Sequence, residues 1–457
     1  MLDLISTYFF SANISSVVLG MIQGWPSPSL PLLRDKATSV TEEVISAEDE
    51  SWIGSLAFLG ALIASPVFSF INQKFGRKAA GYATAIPMII GWLMIIFANN
   101  IILLYAARII LGSSMSGASI FVTMYVGEIS EDGIRGALGT IRGISADLGI
   151  IFIYTAAPNF SIQTMGIIAI SIPILFLFLY FWLPESPMYL LWKGKSEEAK
   201  KAYLWLRGGD QQAADEEMSK LKTVIAKSED NNTTFRELVS VRGTRKALYI
   251  IFVMAIVQQF SGMLVVFSYY ETILQMTGST IPPNLAAITF GIVNLIGSLF
   301  SYLCSDSAGR RMTLTVAQIL QGVSLGALGS YLYARELGAD VSIVGVLPVI
   351  CLSLYCFCVI AGLANLFYVV LSEIFRPEAR GLASNIASAT VWFLGFLATK
   401  FYSLMEDKMG PHGCFFMFTA VSLAGAAFVY LQLPETKNRS LESILRELNG
   451  DPSEDEN

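Results

Sequence analysis

The sequence predicts an all-α membrane protein in which twelve spanning helices form two pseudo-symmetric six-helix halves. Three observations carry this. Of 457 residues, 54% are hydrophobic and only 14% charged, a balance that suits lipid rather than water as solvent. Apolar stretches of about 20 residues, the length a helix needs to cross a bilayer, recur twelve times. Short charged motifs occur twice in the same order: Gly76-Arg77-Lys78 and Gly309-Arg310-Arg311, Glu128 with Arg135 and Glu373 with Arg380, Pro184-Glu185-Ser186 and Pro434-Glu435-Thr436. The separation between copies grows slowly along the chain, as a duplicated bundle leaves it when the second copy gathers small insertions.

The spans lie near 4–24, 52–72, 79–98, 101–127, 137–157 and 162–183 in the first half, and near 247–272, 283–304, 312–334, 342–372, 382–403 and 413–433 in the second. The first run lacks a basic start and leads straight into the bundle, so it reads as a span and not as a cleavable signal. Those at 101–127 and 342–372 are long enough to tilt or to project past the bilayer. Between the halves, 184–246 is the one sizeable soluble stretch. Ala199, Tyr203 and Leu206, then Met218, Leu221 and Ile225, recur at helical spacing. Thr234 with Glu237 forms a capping box before a third short helix. The expected organisation is 1–183, a helical linker subdomain at 184–246, 247–433, and a tail at 434–457. That tail carries an amphipathic element, Leu441 to Leu448, before an acidic end expected to be disordered.

Lys74, Arg77, Lys78, Arg135, Arg310, Arg311, Arg376 and Arg380 all fall in loops on the same side as 184–246, which the positive-inside rule makes cytoplasmic, with both termini there too. The first loop on the other side, 25–50, has six acids against Arg34 and Lys36. The net charge of −6 comes largely from that loop and the tail and says little about partners.

Several chemistries are poorly supported. Gly194-Lys195-Ser196 looks like the end of a phosphate-binding loop, but Tyr189 stands where that motif needs its first glycine and no strand precedes it. The single histidine, His412, lies at an outer loop, with no helical zinc motif and no Ser/His/Asp set. Cys304, Cys351, Cys356, Cys358 and Cys414 show no metal-ligand spacing and read as small packing residues. An enzyme, an ATP-driven pump, a bound metal or cofactor and a nucleotide or nucleic-acid partner are therefore not expected.

Depth marks the candidate binding residues. Gln258, Trp392 and Asp147 each lie twelve residues past a basic marker (Lys246, Arg380 and Arg135), so each sits about 18 Å along its helix, near mid-membrane. Polar groups there are costly unless they face a wet cavity or a partner. The amides of Gln258, Gln259 and Asn294 offer donors and an acceptor to adjacent hydroxyls, and Trp392 offers a flat apolar face with an N–H at its edge. Interhelical hydrogen bonds for the amides and plain packing for the tryptophan are the alternatives.

Phe75-Gly-Arg-Lys78, Tyr125-Val-Gly-Glu-Ile129 with Arg135-Gly-Ala137, Pro184-Glu-Ser-Pro187, Gln258-Gln-Phe-Ser-Gly262, Asp306-Ser-Ala-Gly-Arg-Arg311, Glu373 with Arg380-Gly381, and Pro434-Glu-Thr-Lys437 occur in this order. Together they resemble the sugar porter family of the major facilitator superfamily over nearly the whole chain. Gly24-Trp25-Pro-Ser-Pro28 and Lys400 resemble its insect trehalose facilitators in particular. The resemblance implies the major facilitator fold and alternating access about a midplane site. It implies sugar-facing roles for Gln258, Gln259, Asn294 and Trp392, with Tyr269 and Tyr368 at aromatic positions of the motifs. It also implies a cytoplasmic gate of ion networks drawn from Arg77, Lys78, Glu128, Arg135 and Glu185, and from Asp306, Arg310, Arg311, Glu373, Arg380 and Glu435. For the charges alone, topology setting and helix-end solvation is the other reading.

The chain departs from the family pattern at several of these places. Gly143 replaces a glutamine, Leu264 an asparagine and Ser268 a tyrosine, Val391 stands where an asparagine can precede Trp392, and Met188 replaces a basic residue. A wider, less polar cavity is expected. Gly362-Leu-Ala-Asn-Leu-Phe-Tyr368 lacks both prolines of the helix 10 motif, so the helix break used in gating is expected to be lost. Asp147, one turn past Gly143, reads in three ways: a ligand compensating for Gly143, a proton-coupling site, or a structural partner for Lys400 or Arg142. Gly20-Met-Ile-Gln-Gly24 contains no acid on helix 1, which favours facilitated diffusion. The expected function is transport of a neutral sugar, trehalose or a hexose such as glucose, by a plasma-membrane monomer. A proton-coupled carrier of a polyol or other small solute and a non-transporting sugar sensor are the rivals. Asn159-Phe-Ser161 is a glycosylation sequon in an outer loop, while Asn231 and Asn232 should stay unmodified.

Overall fold

The computed structural model describes residues 2–36, 38–40, 44–130, 135–228, 240–304, 309–437 and 439–449. Within a bilayer every backbone N–H and C=O must be satisfied inside its own segment, so apolar runs of this length become helices. Each of the twelve predicted spans falls on a helix. Nine helical stretches among the described residues are long and apolar enough to cross a membrane, and three of these hold more than one helix or span: Arg242–Thr277, Leu347–Ile374 and Ala379–Gln432.

The chain divides into two compact units. The first comprises Met1–Gly24, Lys36–Val44 and Leu56–Asn232. It holds α1 (Leu2–Gly24), most of α3 (Ala47–Phe75), α4 (Arg77–Ile96), α5 (Ile101–Ile129), α6 (Arg135–Ala156) and α7 (Ile162–Tyr180). Side-chain oxygens fix two of the starts. Asn100 accepts from the Leu103 N–H, and Ser161 from the Thr164 N–H. The core near one end is aromatic: Phe121, Tyr125, Phe176 and Tyr180 meet in stacked and edge-on pairs 5.0–6.3 Å apart.

Three short helices follow, α8 (Pro187–Trp192), α9 (Ser196–Leu206) and α10 (Gln211–Ser228). They share a small core of Leu190, Ala199, Ala202, Tyr203, Ala214 and Met218. Arg207 ties them down, since its buried guanidinium pairs with Glu217 at 2.9 Å and donates to the Ile129 carbonyl at the end of α5. This subdomain therefore belongs to the first unit. The expected capping box at Thr234 and Glu237, and the asparagines 231 and 232, lie outside the described residues.

The second unit comprises Trp25–Asp35, Ile45–Ser55 and Thr233–Asn457. It contains α2 (Pro26–Arg34), α11 (Arg242–Phe260), α12 (Met263–Thr277), α13 (Pro283–Cys304), α14 (Arg310–Glu336), α15 (Leu347–Val359), α16 (Asn365–Ile374), α17 (Pro377–Gln432) and α18 (Leu441–Asn449). The seventh predicted span is interrupted at Ser261-Gly262, which separates α11 from α12. The last two predicted spans form α17, interrupted at Gly410. The predicted amphipathic element is α18, whose Ile444, Leu445 and Leu448 are buried in the same core as Ile250, Ile251 and Met254 of α11.

One expectation is corrected. Without its prolines the tenth span was expected to run unbroken, yet Ile360–Ala364 form a π-helical turn between α15 and α16, with Gly362 at φ −104°, ψ −107°. A Cβ at 362 would come within 2.6 Å of the Ala317 Cβ on α14. Glycine thus supplies the break that proline was thought to supply, by letting α14 approach the bare backbone.

Candidate functional site

The duplicated motifs build the same device in each unit. In the first, Gly76 precedes α4 at φ +100°, and the Glu185 carboxylate accepts from the Arg77 N–H at 2.9 Å and the Lys78 N–H at 3.1 Å. A carboxylate at the N-terminus of a helix satisfies donors that have no intrahelical partner and complements the helix dipole. The Arg77 guanidinium turns the other way, binding both oxygens of Glu128 at 2.5–3.1 Å and the Asn72 carbonyl at 3.1 Å. The Ser186 hydroxyl donates to Glu128 at 2.5 Å. Lys78 reaches the Phe181 carbonyl through its ammonium.

In the second unit, Gly309 precedes α14 at φ +78° and Glu435 accepts from the Arg310 and Arg311 N–H groups at 2.8 and 3.2 Å. Arg310 pairs with Glu373 at 2.9 Å, and the Thr436 hydroxyl donates to Glu373 at 2.5 Å. Arg311 lies over the Tyr430 ring, 4.7 Å from its centroid. A Cβ at either glycine would collide with the capping carboxylate, at 2.2 Å from Glu185 and 2.9 Å from Glu435. Arg380 is exposed, so the seven-residue spacing from Glu373 does not mark the pair that forms. Asp306 and the side chain of Arg135 lie outside the described residues.

The two caps differ electrostatically. Burial pushes the Glu185 carboxyl above the usual glutamate range, opposed by N–H donors from Ser186, Lys78 and Arg77. Burial acts on Glu435 too, but the N–H groups of Lys437, Arg310, Arg311 and Thr436 outweigh it and hold that carboxyl below the usual range.

The candidate ligand amides are buried in the second unit. Gln258 and Gln259 end α11 at 4% and 1% exposure, and Asn294 on α13 is fully buried. The Oε1 atoms of both glutamines and the Nδ2 of Asn294 are unpartnered. Trp392 is half-buried on α17. Tyr269 is buried within α12 at a local kink, with its ring 5.1 Å from that of Tyr402 and its hydroxyl 3.4 Å from the Glu50 carbonyl. Tyr368 stands exposed on α16, edge-on to Phe367.

In the first unit Asp147 is buried on α6. Gly20 of α1 and Gly149 of α6 let these two backbones touch around it, since a Cβ on either would meet a carbonyl of the other helix at 1.8–2.0 Å. In the second unit the Lys400 ammonium donates to the Ser51 hydroxyl at 2.7 Å and lies 3.8 Å from the Trp52 ring centroid. Reading the sequence did not single out Cys356, whose thiol donates to the Asn294 Oδ1, nor the fully buried Gln318 and Gln321 of α14, whose amide atoms are unpartnered. The Gln318 and Gln321 amides carried a depth signal of the same kind as Gln258. The thiol carried none.

Residues 19–448 match the family model described as "Sugar (and other) transporter". The chain is 31% identical to the facilitated trehalose transporter Tret1 of Apis mellifera ligustica, over 96% of this chain and 87% of that protein. It is equally identical to the Tret1 of Drosophila virilis, over 96% of this chain and 48% of that protein, so it spans about half the length of the first curated relatives it matches. In fold it is similar to the inward-open xylose transporter XylE of E. coli, with a TM-score of 0.80 at 19% identity, over 96% of this chain and 99% of the other. A family match over nearly the whole chain and its apolar helices make this an integral membrane protein: the chain belongs to the sugar (and other) transporter family.

Proposed function

We propose that this protein carries a neutral sugar, trehalose or a hexose such as glucose, down its gradient across the plasma membrane, by alternating access and as a monomer with both termini cytoplasmic. One observation supports the sugar reading most directly. Gln258, Gln259 and Asn294 bring three amides into the buried interior of one unit, each with an unpartnered polar atom. An unmade hydrogen bond on a buried amide costs about 1–3 kcal/mol, and a hydroxyl-rich solute supplies the missing partners. Its hydroxyls accept from the Asn294 Nδ2 and donate to the glutamine oxygens. Trp392 joins this set as an apolar face for the sugar's C–H side. Tyr368, exposed on α16, joins it as an aromatic rim, whereas the Tyr269 hydroxyl is already engaged.

The duplicated networks give the mechanics. Each links three elements of one unit: the start of α4 or α14, the end of α5 or α16, and the irregular segment after the last helix of that half. We place both at the cytoplasmic face, where they brace the helix ends so that each half rocks as a body. Curated relatives named as facilitated trehalose transporters support trehalose as the first sugar to test, and Asp147, buried on α6, is assigned to the substrate path.

The test is uptake of labelled trehalose and glucose into oocytes at pH 5.5 and 7.5, with Gln258→Ala alongside. Saturable uptake that is equal at both pH values and lost in the variant is the expected result. Uptake that rises at pH 5.5 and loses that rise in Asp147→Asn would replace facilitated diffusion by proton coupling. No uptake of either sugar at confirmed surface expression would remove both as substrates.

A further inference from the structure

Asn294 does not stand alone. Cys356, fully buried on α15, directs its thiol at the Asn294 Oδ1. The residue before it, Tyr355, is also fully buried and donates its hydroxyl to the Ser261 carbonyl at 3.0 Å. Ser261 closes α11 immediately after Gln258, Gln259 and Phe260, and its own hydroxyl donates to the Gln258 carbonyl at 3.1 Å. Two adjacent residues of α15 therefore reach the two helices that carry the candidate amides. The π-helical turn begins four residues further on, at Ile360.

We propose that Cys356 is a positioning residue which makes Asn294 a hydrogen-bond donor to the substrate. This rests on the sugar-transport reading above and specifies how that site reads its substrate. A primary amide can present either its oxygen or its NH₂, and the two are interchanged by rotation about one bond. With the thiol donating to Oδ1, the oxygen is taken and the NH₂ faces away from sulfur. That NH₂ is the unpartnered group. The substrate atom opposite must then accept, so a hydroxyl oxygen fits while a group that can only donate does not. The sequence read Cys356 as a packing residue, and packing alone would leave the amide free to turn.

The experiment uses the full chain reconstituted in liposomes. Counterflow of the transported sugar is measured in competition with its monodeoxy and monofluoro analogues at each hydroxyl. Fluorine accepts weakly and cannot donate, so at the hydroxyl read by Asn294 the fluoro analogue should compete better than the deoxy analogue. One hydrogen bond is worth about tenfold in affinity at most, which sets the size of the effect. In Cys356→Ala the fluoro-over-deoxy preference at that position should collapse to within about twofold. KM should rise several-fold with kcat little changed, and Cys356→Ser, which keeps a donor, should restore both. In an Asn294→Ala background the Cys356→Ala change should have no further effect. The proposal is overturned if Cys356→Ala leaves KM and the analogue pattern unchanged, or if it acts equally with Asn294 removed. Absence of sugar counterflow in the unmodified protein would instead overturn the transport reading itself. Monodisperse elution of each variant in detergent separates loss of positioning from loss of fold.

Discussion

Replacing Gly76 by alanine tests whether Glu185 caps α4 as a close-fitting lid or as a loose counter-charge. Gly76 sits at φ +100°, ψ 173°, a region almost reserved for glycine, where any other residue costs about 1–3 kcal/mol. The new Cβ would also stand 2.2 Å from the Glu185 Oε2. That carboxylate must move off the Arg77 and Lys78 N–H groups, and each hydrogen bond to a charged group is worth about 1.5–3 kcal/mol. With partial recovery through water at the helix end, the sum is about 4 kcal/mol. For a unit of this size that lowers a melting midpoint by about 8–16 °C. Two controls divide the causes. Gly194→Ala carries a positive φ of 75° with nothing within 4 Å of the new Cβ, so it should show the backbone strain by itself, about 1 kcal/mol and 2–4 °C. Gly127→Ala lies inside α5, again with nothing within 4 Å, and should be neutral or slightly stabilising. The assay is the thermal loss of the monodisperse peak of detergent-solubilised protein. Equal losses for Gly76→Ala and Gly194→Ala would refute the lid.

The two caps should respond to acid with opposite sign. The Glu185 carboxyl lies above the ordinary range in the fold, so between the unfolded value and that raised value the folded state holds more protons, and stability falls as pH rises through that window. The Glu435 carboxyl is depressed, so its contribution is present above the unfolded value and lost as pH falls through the folded one. Melting midpoints followed from pH 7 down to pH 3 should therefore flatten above the ordinary glutamate range in Glu185→Gln and below it in Glu435→Gln. The same flattening in both would contradict the assignment. The contact of Lys400 with Trp52 is worth about 0.5–1 kcal/mol of coupling. A double-mutant cycle of Lys400→Met and Trp52→Leu on the melting midpoint should recover it, and strictly additive effects would show that the contact contributes nothing.

Helices were legible because bilayer thickness converts directly into a run of apolar residues, and every run chosen on that ground falls on a helix. The paired motifs were legible too, as a set, but their geometry was not. Glu185 acts on backbone N–H groups 107 and 108 positions away, and Glu373 takes an arginine 63 positions away instead of the one seven residues on. Spacing along a chain identifies neighbours on one helix only, and both contacts join different helices. Lys400 meets the Ser51 hydroxyl, 349 positions away, and the Trp52 indole face, contacts that spacing along the chain does not mark. The sequence reads Cys356 as a packing residue, and its contact with the Asn294 Oδ1 left no mark there. A thiol that meets an amide on another helix has the same sequence signature as a thiol that only fills space.

The π-helical turn at Ile360–Ala364 also changes how this helix is to be compared with others. Such a turn takes up more residues than an α-turn, and Gly362 leaves helical φ/ψ inside it, so the residues after it do not continue the helical phase of those before. On α16, Phe367 is buried and Tyr368 exposed. Residues beyond Gly362 that an alignment pairs with those of a differently interrupted helix need not share a facing direction. Substitutions carried between such chains should therefore be matched by facing direction beyond Gly362, with Phe367 tested beside Tyr368.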